Sequence, residues 1–192
     1  GWKVVDTSQK MLVMRHDLFR HIEIEMFVKQ SQLPAAVAYT QESLKHFDGA
    51  PDAISETTRQ RLTELGLPDS LPALAGCYTH HYPVCIRRVL PDDTLISMAS
   101  SDDEPYYALS FVSYSRPAER AGFFAFADFL ARTAASLFGA RSHWGKVCPL
   151  DAEQAEALYP HLKTFRDICS RFDSGGQFRN DWVTGLLFRG PD

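Results

Sequence analysis

Several protein classes are excluded by what this sequence lacks. It has no CxxC or CxxH spacing, because its four cysteines are widely scattered, at Cys77, Cys85, Cys148 and Cys169. This argues against a structural zinc site and against a disulfide framework, and it favours reduced thiols. It has no excess of basic residues either, since the formal net charge is −4. We therefore expect no nucleic-acid partner.

The sequence also lacks the patterns that are typical of a membrane span and of a signal peptide. The longest apolar run, over 122–138, is interrupted by Asp128 and Arg132. A plain membrane span needs about 20 nearly uncharged residues, so this run argues against one. The first residues do not have the basic, apolar and small pattern of a signal peptide. We expect a cytoplasmic protein, and a position peripheral to a membrane stays open.

Length and composition indicate an ordinary globular protein with one sizeable core, or at most two small ones. The chain has 192 residues, of which 45% are hydrophobic and 23% charged. There is no glycine-rich phosphate cradle, because Gly175-Gly176 follows a predicted helix instead of preceding one.

Three strands are predicted, over 21–28, 82–90 and 106–115, the first from its period-2 alternation and the third from its content of β-forming residues. The first is the clearest, and its apolar face carries Ile22, Ile24, Met26 and Val28. Its other face carries His21, Glu23, Glu25 and Phe27. One face of each strand is polar. That face meets water or covers something else.

Capping and breaking residues predict the helices. They run from Leu33 to Phe47, from Ser55 to a stop at Gly66-Leu67-Pro68, from Pro117 to Phe138, from Asp151 to Leu158 and from His161 to Phe172. The tail to Phe188 is predicted as short extended pieces. The order of elements predicts an α+β fold, an antiparallel sheet with helices packed on one face, followed by a helical C-terminal segment.

The stretch from Arg141 to Lys146 concentrates chemistry-bearing residues between two helical regions. Lys146 can stabilise an oxyanion or a reduced cofactor. By residue type alone, an ordinary solvated lysine is the more frequent case. His143 can be an acid, a base or a hydrogen-bonded loop residue, and Trp144 is more often a packing residue than a stacking platform.

A second candidate site lies on the predicted second strand. Cys85 and Arg87 share a face, and Arg88 points the opposite way. Arg87 can grip an anionic or hydroxylated substrate, or one of the two arginines can pair with Glu23 or Glu25 across the sheet. No Cys–His signature supports a catalytic cysteine.

Metal binding is not expected. His80 and His81 are adjacent, and adjacent residues in a strand point to opposite faces, so the pair is poorly placed to bind one ion.

A longer constellation resembles a known family. It comprises His143-Trp144-Gly145-Lys146, Leu158-Tyr159-Pro160, Phe165, Arg171, Asp173, Gly176, Phe178 and Asn180. This seam is similar to the C-terminal signature of the flavin-linked sugar-lactone and alditol oxidases. That group includes D-arabinono-1,4-lactone oxidase and L-gulonolactone oxidase, within the vanillyl-alcohol oxidase class. The similarity is specific over the last 50 or so residues and collinear upstream.

The resemblance implies that residues 1–192 form a single cap, or substrate, domain of such an oxidase. The family lays a ferredoxin-like antiparallel sheet over the flavin, and FAD is bound mainly by a separate FAD-binding domain that is absent from this chain. Because Gly1-Trp2 does not look like a natural start, we expect a fragment. The implied partners are the FAD-binding domain of the same full-length protein and a small polyol or sugar-lactone substrate; a homodimer stays open.

The resemblance also implies roles on the cofactor side. Lys146 lies near the flavin and the substrate hydroxyl and favours negative charge on the reduced flavin. His143 lies close by, and Asn180 helps to fasten the tail to the flavin side.

On the substrate side, Arg87 matches the arginine of a Glu-x-Arg pair that lines the substrate pocket. Cys85 stands at the glutamate position, so a hydroxyl-binding carboxylate is not supplied there. Glu23 or Glu25 is the expected substitute.

Two hypotheses follow. The first is a cap of a flavin-dependent oxidoreductase that oxidises a CH–OH group of a sugar lactone, alditol or related alcohol by hydride transfer to FAD. The alternative is a free-standing, non-catalytic α+β module for binding or oligomerisation, derived from that fold. Under either hypothesis the isolated chain is expected to be inactive.

Overall fold

The computed structural model describes residues 5, 7, 20–66, 71–114 and 116–188. Within these residues the strands are β1 (His21–Lys29), β2 (Cys85–Val89), β3 (Tyr106–Tyr114) and β4 (Arg141–Ser142). The helices are α1 (Leu33–Phe47), α2 (Glu56–Glu64), α3 (Leu71–Leu74), α4 (Pro117–Phe138), α5 (Ala152–Leu158), α6 (Leu162–Phe172) and α7 (Asp181–Val183). A 3-10 turn, Gln30–Gln32, follows β1, and a π-helical turn, Thr184–Phe188, follows α7.

The four strands form one antiparallel sheet in the order β2-β3-β1-β4. The chain visits them as β-α-β-β-α-β, with β1 and β3 in the centre and α1 and α4 as the crossover helices. This is the ferredoxin-like arrangement, and it confirms the predicted α+β class with an antiparallel sheet. The C-terminal helices then extend the chain beyond β4.

The alternation in β1 decides which face the helices cover. Ile24, Met26 and Val28 are fully or almost fully buried in the main core. The core is aromatic: Phe47 of α1 meets Phe126 of α4 edge to face, with ring centroids 5.3 Å apart. Such pairs add to the apolar burial that holds helices on a sheet. The helix-covered side of β1 is therefore dry, and its chemistry-bearing residues lie on the other side.

Helix α4 spans the core and comes close to the loop before β2. A Cβ built on Gly122 would lie 2.1 Å from the carbonyl oxygen of Cys77, so only glycine allows this approach. Gly139, in the left-handed conformation at φ 64°, ends the helix as predicted. By length and composition, Arg120–Phe138 can cross a membrane, but most of it is buried against the rest of the fold.

Two sequence predictions differ from the structure. The second strand is Cys85–Val89 and not 82–90. Pro83 has no N–H for the ladder and lies before the strand, while the Tyr82 ring packs against that of Tyr114 at 5.4 Å. The tail to Phe188 was predicted as extended pieces, which is wrong, because it is helical from Asp181 onward.

The helical tail has a local cause and a packing cause. Asn180 caps α7, since its side-chain oxygen accepts a hydrogen bond from the Val183 N–H at 2.8 Å. Leu186 and Leu187 are then buried in a second, smaller core with residues of α5 and α6. Burial of two leucines outweighs the irregular local pattern from which an extended tail was predicted.

Candidate functional site

The open face of the sheet carries a row of polar side chains. The register sets Glu25 of β1 opposite Ser110 of β3, and Ser110 opposite Cys85 of β2. Glu23 and Arg87 lie two residues along their own strands, on the same face. Residues that are far apart in the sequence thus converge on a single surface.

Lys146 reaches this surface because the chain continues along the edge of β1 after β4. The backbone N–H of His143 donates to the Glu25 carbonyl, and that of Val147 to the Glu23 carbonyl, both at 3.0 Å. Between these two anchors the chain makes a turn, in which the Lys146 N–H donates to the His143 carbonyl at 3.2 Å. The turn directs the lysine side chain toward the two glutamates.

The Lys146 ammonium joins both carboxylates. Its Nζ lies 2.5 Å from Oε1 of Glu23 and 2.7 Å from Oε2 of Glu25. The lysine side chain is 21% exposed, so this cation is held at the surface of the sheet rather than in free solvent. The solvated lysine that residue type alone favoured is therefore not what the fold produces.

Glu25 is the most constrained member of the site. Its Oε1 accepts hydrogen bonds from Arg87 and from the Ser110 hydroxyl, the latter at 2.6 Å, and its Oε2 accepts from Lys146. Burial by itself raises the pKa of this carboxyl, but the hydrogen bonds from Lys146, Ser110 and Arg87 outweigh it and lower the pKa to about 2. Glu25 is thus a permanent anion at any physiological pH.

Arg87 pairs with a glutamate across the sheet, which was the alternative to substrate binding considered for this arginine. It forms an ion pair with Glu25, and its Nη2 also donates to the Ser110 hydroxyl at 3.0 Å. The Arg87 side chain is 60% exposed, so solvent screens the pair and the side chain stays accessible to a ligand.

His143 and Trp144 differ in how they are used. Nδ1 of His143 accepts a hydrogen bond from the Gly145 N–H at 3.0 Å, which leaves Nε2 to carry the proton of the neutral ring. Trp144 is a packing residue: its indole N–H donates to the Ile96 carbonyl at 2.9 Å, and its ring stacks on Tyr159 at 4.9 Å. Trp144 thereby ties the turn to the loop after β2.

Besides the His143 ring, which bonds to the Gly145 N–H, two more predicted site residues have side chains outside the hydrogen-bonded network. Cys85 shares the open face and is exposed, but among the described residues its thiol makes no bond to the network. Asn180 uses its side-chain oxygen to cap α7. The structure joins Lys146 to Glu23 and Glu25, and Arg87 to Glu25, in one network, sets Cys85 in the same row as Ser110, and leaves Asn180 in the tail.

Sequence reasoning missed Ser110 altogether, and for Arg141 it missed the burial of the side chain. Ser110 joins Arg87 and Glu25, and only the strand register identifies it. Arg141 is buried, with its guanidinium 5.0 Å from the Tyr106 ring centroid and 4.7 Å from that of Tyr159. It donates to the carbonyls of Leu158, Ser97 and Ser100. An arginine in a short strand, with aromatic residues elsewhere in the chain, carries no signal that it is buried.

Metal ligands are not clustered in the part of the chain that the structure describes, where no three His, Cys, Asp or Glu side chains are grouped to hold an ion. His80 points into the fold instead, with Nδ1 2.9 Å from the Tyr78 hydroxyl and its ring against Phe111.

Together, the fold and the site define a class: a ferredoxin-like α+β domain with one sheet face covered by helices and the other carrying an anchored lysine, an arginine and two carboxylates. Such a face suits a polar ligand or a second domain. The family model for D-arabinono-1,4-lactone oxidase matches residues 1–186. The chain belongs to that family, a group of FAD-linked oxidases.

Relatives support the same assignment. The chain is 55% identical, over 187 residues, to a protein of an uncultured marine euryarchaeote named long-chain alcohol oxidase. It is 29% identical over 110 residues to L-gulonolactone oxidase of Scyliorhinus torazame, and 27% identical over 135 residues to that of Mus musculus. These matches cover 97%, 56% and 69% of this chain, but only 39%, 24% and 29% of the respective relatives.

Proposed function

We propose that this chain is the substrate-binding cap domain of an FAD-dependent oxidoreductase that oxidises a CH–OH group of an alcohol. The observation that carries the proposal is the anchored Lys146, presented on the open sheet face between Glu23 and Glu25. A cation in this position favours negative charge, which develops on an alcohol oxygen or on a reduced cofactor. Membership of a family of FAD-linked oxidases supports the same chemistry.

The residues on the open face fit a flavin by their chemistry. An ammonium has three N–H donors, and Lys146 gives two of them to the glutamates, so one remains for a ligand. His143 keeps its Nε2 proton because Nδ1 is occupied by the Gly145 N–H. FAD, when bound, supplies the hydride acceptor. In this proposal Lys146 and His143 hold the flavin, and Asn180 acts indirectly by ordering the tail.

The remaining polar residues prepare the substrate side. Arg87 and Ser110 fix the Glu25 carboxylate, which in turn holds Lys146 in place. The exposed part of the Arg87 guanidinium is available to orient an oxygen of the substrate. Preorganised donors of this kind do not have to reorient during the reaction.

The substrate proposed is an alcohol with an apolar chain. Cys85 places an uncharged, weakly polar thiol in the row beside Ser110, where a carboxylate would bind further hydroxyl groups. The relative that is 55% identical is named long-chain alcohol oxidase, which supports the same substrate class. Sugar lactones and alditols, with several hydroxyls each, are the competing substrates.

The partner proposed is the FAD-binding domain of a longer protein. This chain matches only 39% of the length of its 55% identical relative. Its C-terminal segment exposes large apolar side chains, with Phe172 83%, Phe178 86% and Trp182 43% exposed. Exposed aromatic residues grouped on one segment are typical of an interface, so this segment is the proposed contact with that domain.

The main experiment is the substitution Lys146→Ala in the full-length protein purified with its flavin. We expect a yellow wild-type protein that an alcohol bleaches under anaerobic conditions. We expect the variant to bleach about 100-fold more slowly, because an electrostatic donor at a reacting centre contributes about 10²–10³ in rate. Lys163→Ala is the matched control, since that side chain is 80% exposed and forms an i,i+4 pair with Asp167 on the helix surface. Wild-type bleaching by Lys146→Ala would contradict the proposal.

Substrate class is tested by Cys85→Glu. With a long-chain primary alcohol, a polyol and a sugar lactone as substrates, we expect wild type to prefer the long-chain alcohol. The new carboxylate should move kcat/KM toward the polyol by at least 10-fold, because a hydrogen bond to a charged group contributes about 1.5–3 kcal/mol. An unchanged order of preference would remove Cys85 from the specificity argument.

The alternative, a non-catalytic binding or oligomerisation module, is favoured by the same exposed aromatic side chains. It predicts a full-length protein that is colourless and self-associates through Phe172 and Phe178. Flavin absorbance and sedimentation measurements separate the two functions.

A further inference from the structure

The two carboxylates of the open face are not equivalent. Glu25 has both oxygens engaged, by Arg87 and Ser110 on Oε1 and by Lys146 on Oε2. Glu23 is bonded only through Oε1, to Lys146, and no described residue donates a hydrogen bond to its Oε2. The Glu23 side chain is also more open, at 18% exposed compared with 4% for Glu25.

This difference decides which carboxylate can accept a proton from a ligand. A general base needs a lone pair within hydrogen-bonding reach of the hydroxyl, and protonation must not break an existing structure. At Glu25 three donors, Arg87, Ser110 and Lys146, stabilise the ionised carboxylate, and a proton would weaken these bonds. At Glu23 the free oxygen receives the proton while Oε1 keeps its bond to Lys146.

His143 is the other candidate base in the turn, and its hydrogen bonding argues against it. Its Nδ1 lone pair already accepts from Gly145, so the neutral ring presents an N–H at Nε2 and not an acceptor. It is therefore a donor toward a ligand, and the role of proton acceptor falls to a carboxylate.

Resting on the proposed function, we propose that Glu23 is the catalytic base of this site. The alcohol O–H bond breaks and its proton goes to Oε2 of Glu23. The C–H bond breaks with its electron pair leaving as hydride to the flavin, so that the alcohol becomes a carbonyl compound and the flavin is reduced by two electrons. An electron acceptor, oxygen or another oxidant, later reoxidises the flavin.

Proton transfer to Glu23 also changes the charge that Lys146 presents. Formally, two carboxylates balance Lys146 and Arg87 before the reaction. When Glu23 is protonated, one positive charge is no longer balanced, at the moment when the reduced flavin gains negative charge. The local field thus favours the product state without any movement of the backbone.

Other charged and titratable groups face Glu23 from each neighbouring element. They are His21 and Glu25 on β1, Tyr114 on β3, Arg87 on β2, and His143 and Lys146 in the turn after β4. The residue directly opposite Glu23 on β3 is Val112, which is apolar. A change in the pH profile can be assigned to Glu23 only when substitution of Glu23 abolishes it.

The test uses the full-length, flavin-loaded protein and anaerobic stopped-flow reduction by a long-chain primary alcohol across pH. We expect Glu23→Gln to reduce its flavin about 100-fold or more slowly than wild type and to lose the acid limb of the pH profile. Glu23→Asp, which keeps the charge opposite Lys146, should still be at least 10-fold slower, because its carboxylate is drawn back by about one bond length. Glu153→Gln, an exposed residue of α5, is the matched control.

A second readout does not depend on turnover. A tertiary alcohol has the hydroxyl but no hydride to give, and its Kd is measured from the change it causes in the flavin spectrum. We expect this Kd to change less than about threefold in Glu23→Gln, because glutamine still accepts a hydrogen bond. A much weaker Kd with an unchanged reduction rate would mean that Glu23 only positions the substrate.

The outcomes separate the two levels of the proposal. If wild type is colourless or no CH–OH compound bleaches it, the proposed function is wrong. If wild type is bleached and either Glu23 variant reduces its flavin within about threefold of wild type, only the role of Glu23 is overturned.

Discussion

The two faces of β1 show how one strand can serve two purposes. Ile24, Met26 and Val28 point into a dry core under α1 and α4. Glu23 and Glu25 point to the open face, where both bind Lys146. The neighbouring strands β3 and β2 add further polar side chains to this network. The first face is stabilised by apolar burial, whereas the second is stabilised by charges that compensate one another.

Along β1, side chains that stabilise the core therefore alternate with side chains of the charged network. A core side chain is expected to change the free energy of unfolding, with little effect on the reaction per folded molecule. A side chain of the network is expected to change stability in a pH-dependent way and the reaction as well.

The largest expected effect is on the helix-covered face. Phe126 is fully buried and contacts Phe47 and Phe111, so Phe126→Ala should lower the free energy of unfolding by about 3–5 kcal/mol. Urea denaturation measures it. Phe124→Ala, at a position 42% exposed on the same helix, should cost less than about 1 kcal/mol. Equal costs for both variants would mean that the core is not where the structure has it.

A smaller, pH-dependent effect is expected at Glu25. Because its pKa is lowered to about 2 in the folded state, its contribution is present above the unfolded-state pKa of about 4.3 and is lost as the pH falls toward about 2. Glu25→Gln should therefore cost on the order of 2 kcal/mol at neutral pH and progressively less in acid. Urea denaturation at a series of pH values checks this. A difference from wild type that is independent of pH would contradict the network.

The smallest effect compares adjacent arginines on β2. Arg87 bonds Glu25 and Ser110 on the open face, and Arg88 points to the opposite face. Since Arg87 is largely exposed, Arg87→Ala should cost only about 1 kcal/mol, and Arg88→Ala about 0.5 kcal/mol or less. Only Arg87→Ala should also weaken alcohol binding. If the two variants had the same stability and the same alcohol binding, the two faces of β2 would not differ in the way described.

Local sequence patterns predicted most of the strands and helices. The alternation in 21–28 predicted both the strand and its two faces, and capping residues such as Asp151 and Gly139 predicted where helices begin and end. The alternation also placed Glu23 and Glu25 on one polar face. These features depend on neighbours within one element, which is why sequence reasoning reached them.

Contacts between distant elements were beyond that reasoning. The bond from Lys146 to Glu23 joins residues 123 positions apart, and Ser110 enters the site only through the register of β3. The helical tail depends on Leu186 and Leu187 reaching the second core. Each of these contacts depends on strand register or on packing between distant elements, which composition and residue spacing do not reveal.

Arg141 has a consequence for protein engineering. β4 is only two residues long, yet the guanidinium of Arg141 joins the end of the sheet, the loop at Ser97–Ser100 and the C-terminal segment at Leu158 through backbone carbonyls. A chimera of two family members that exchanges the tail alone, with a boundary at 140, keeps Arg141 with Leu158 but pairs it with residues 97 and 100 of the other parent. A crossover placed before 97 keeps the guanidinium and all three of its acceptor carbonyls from the same parent.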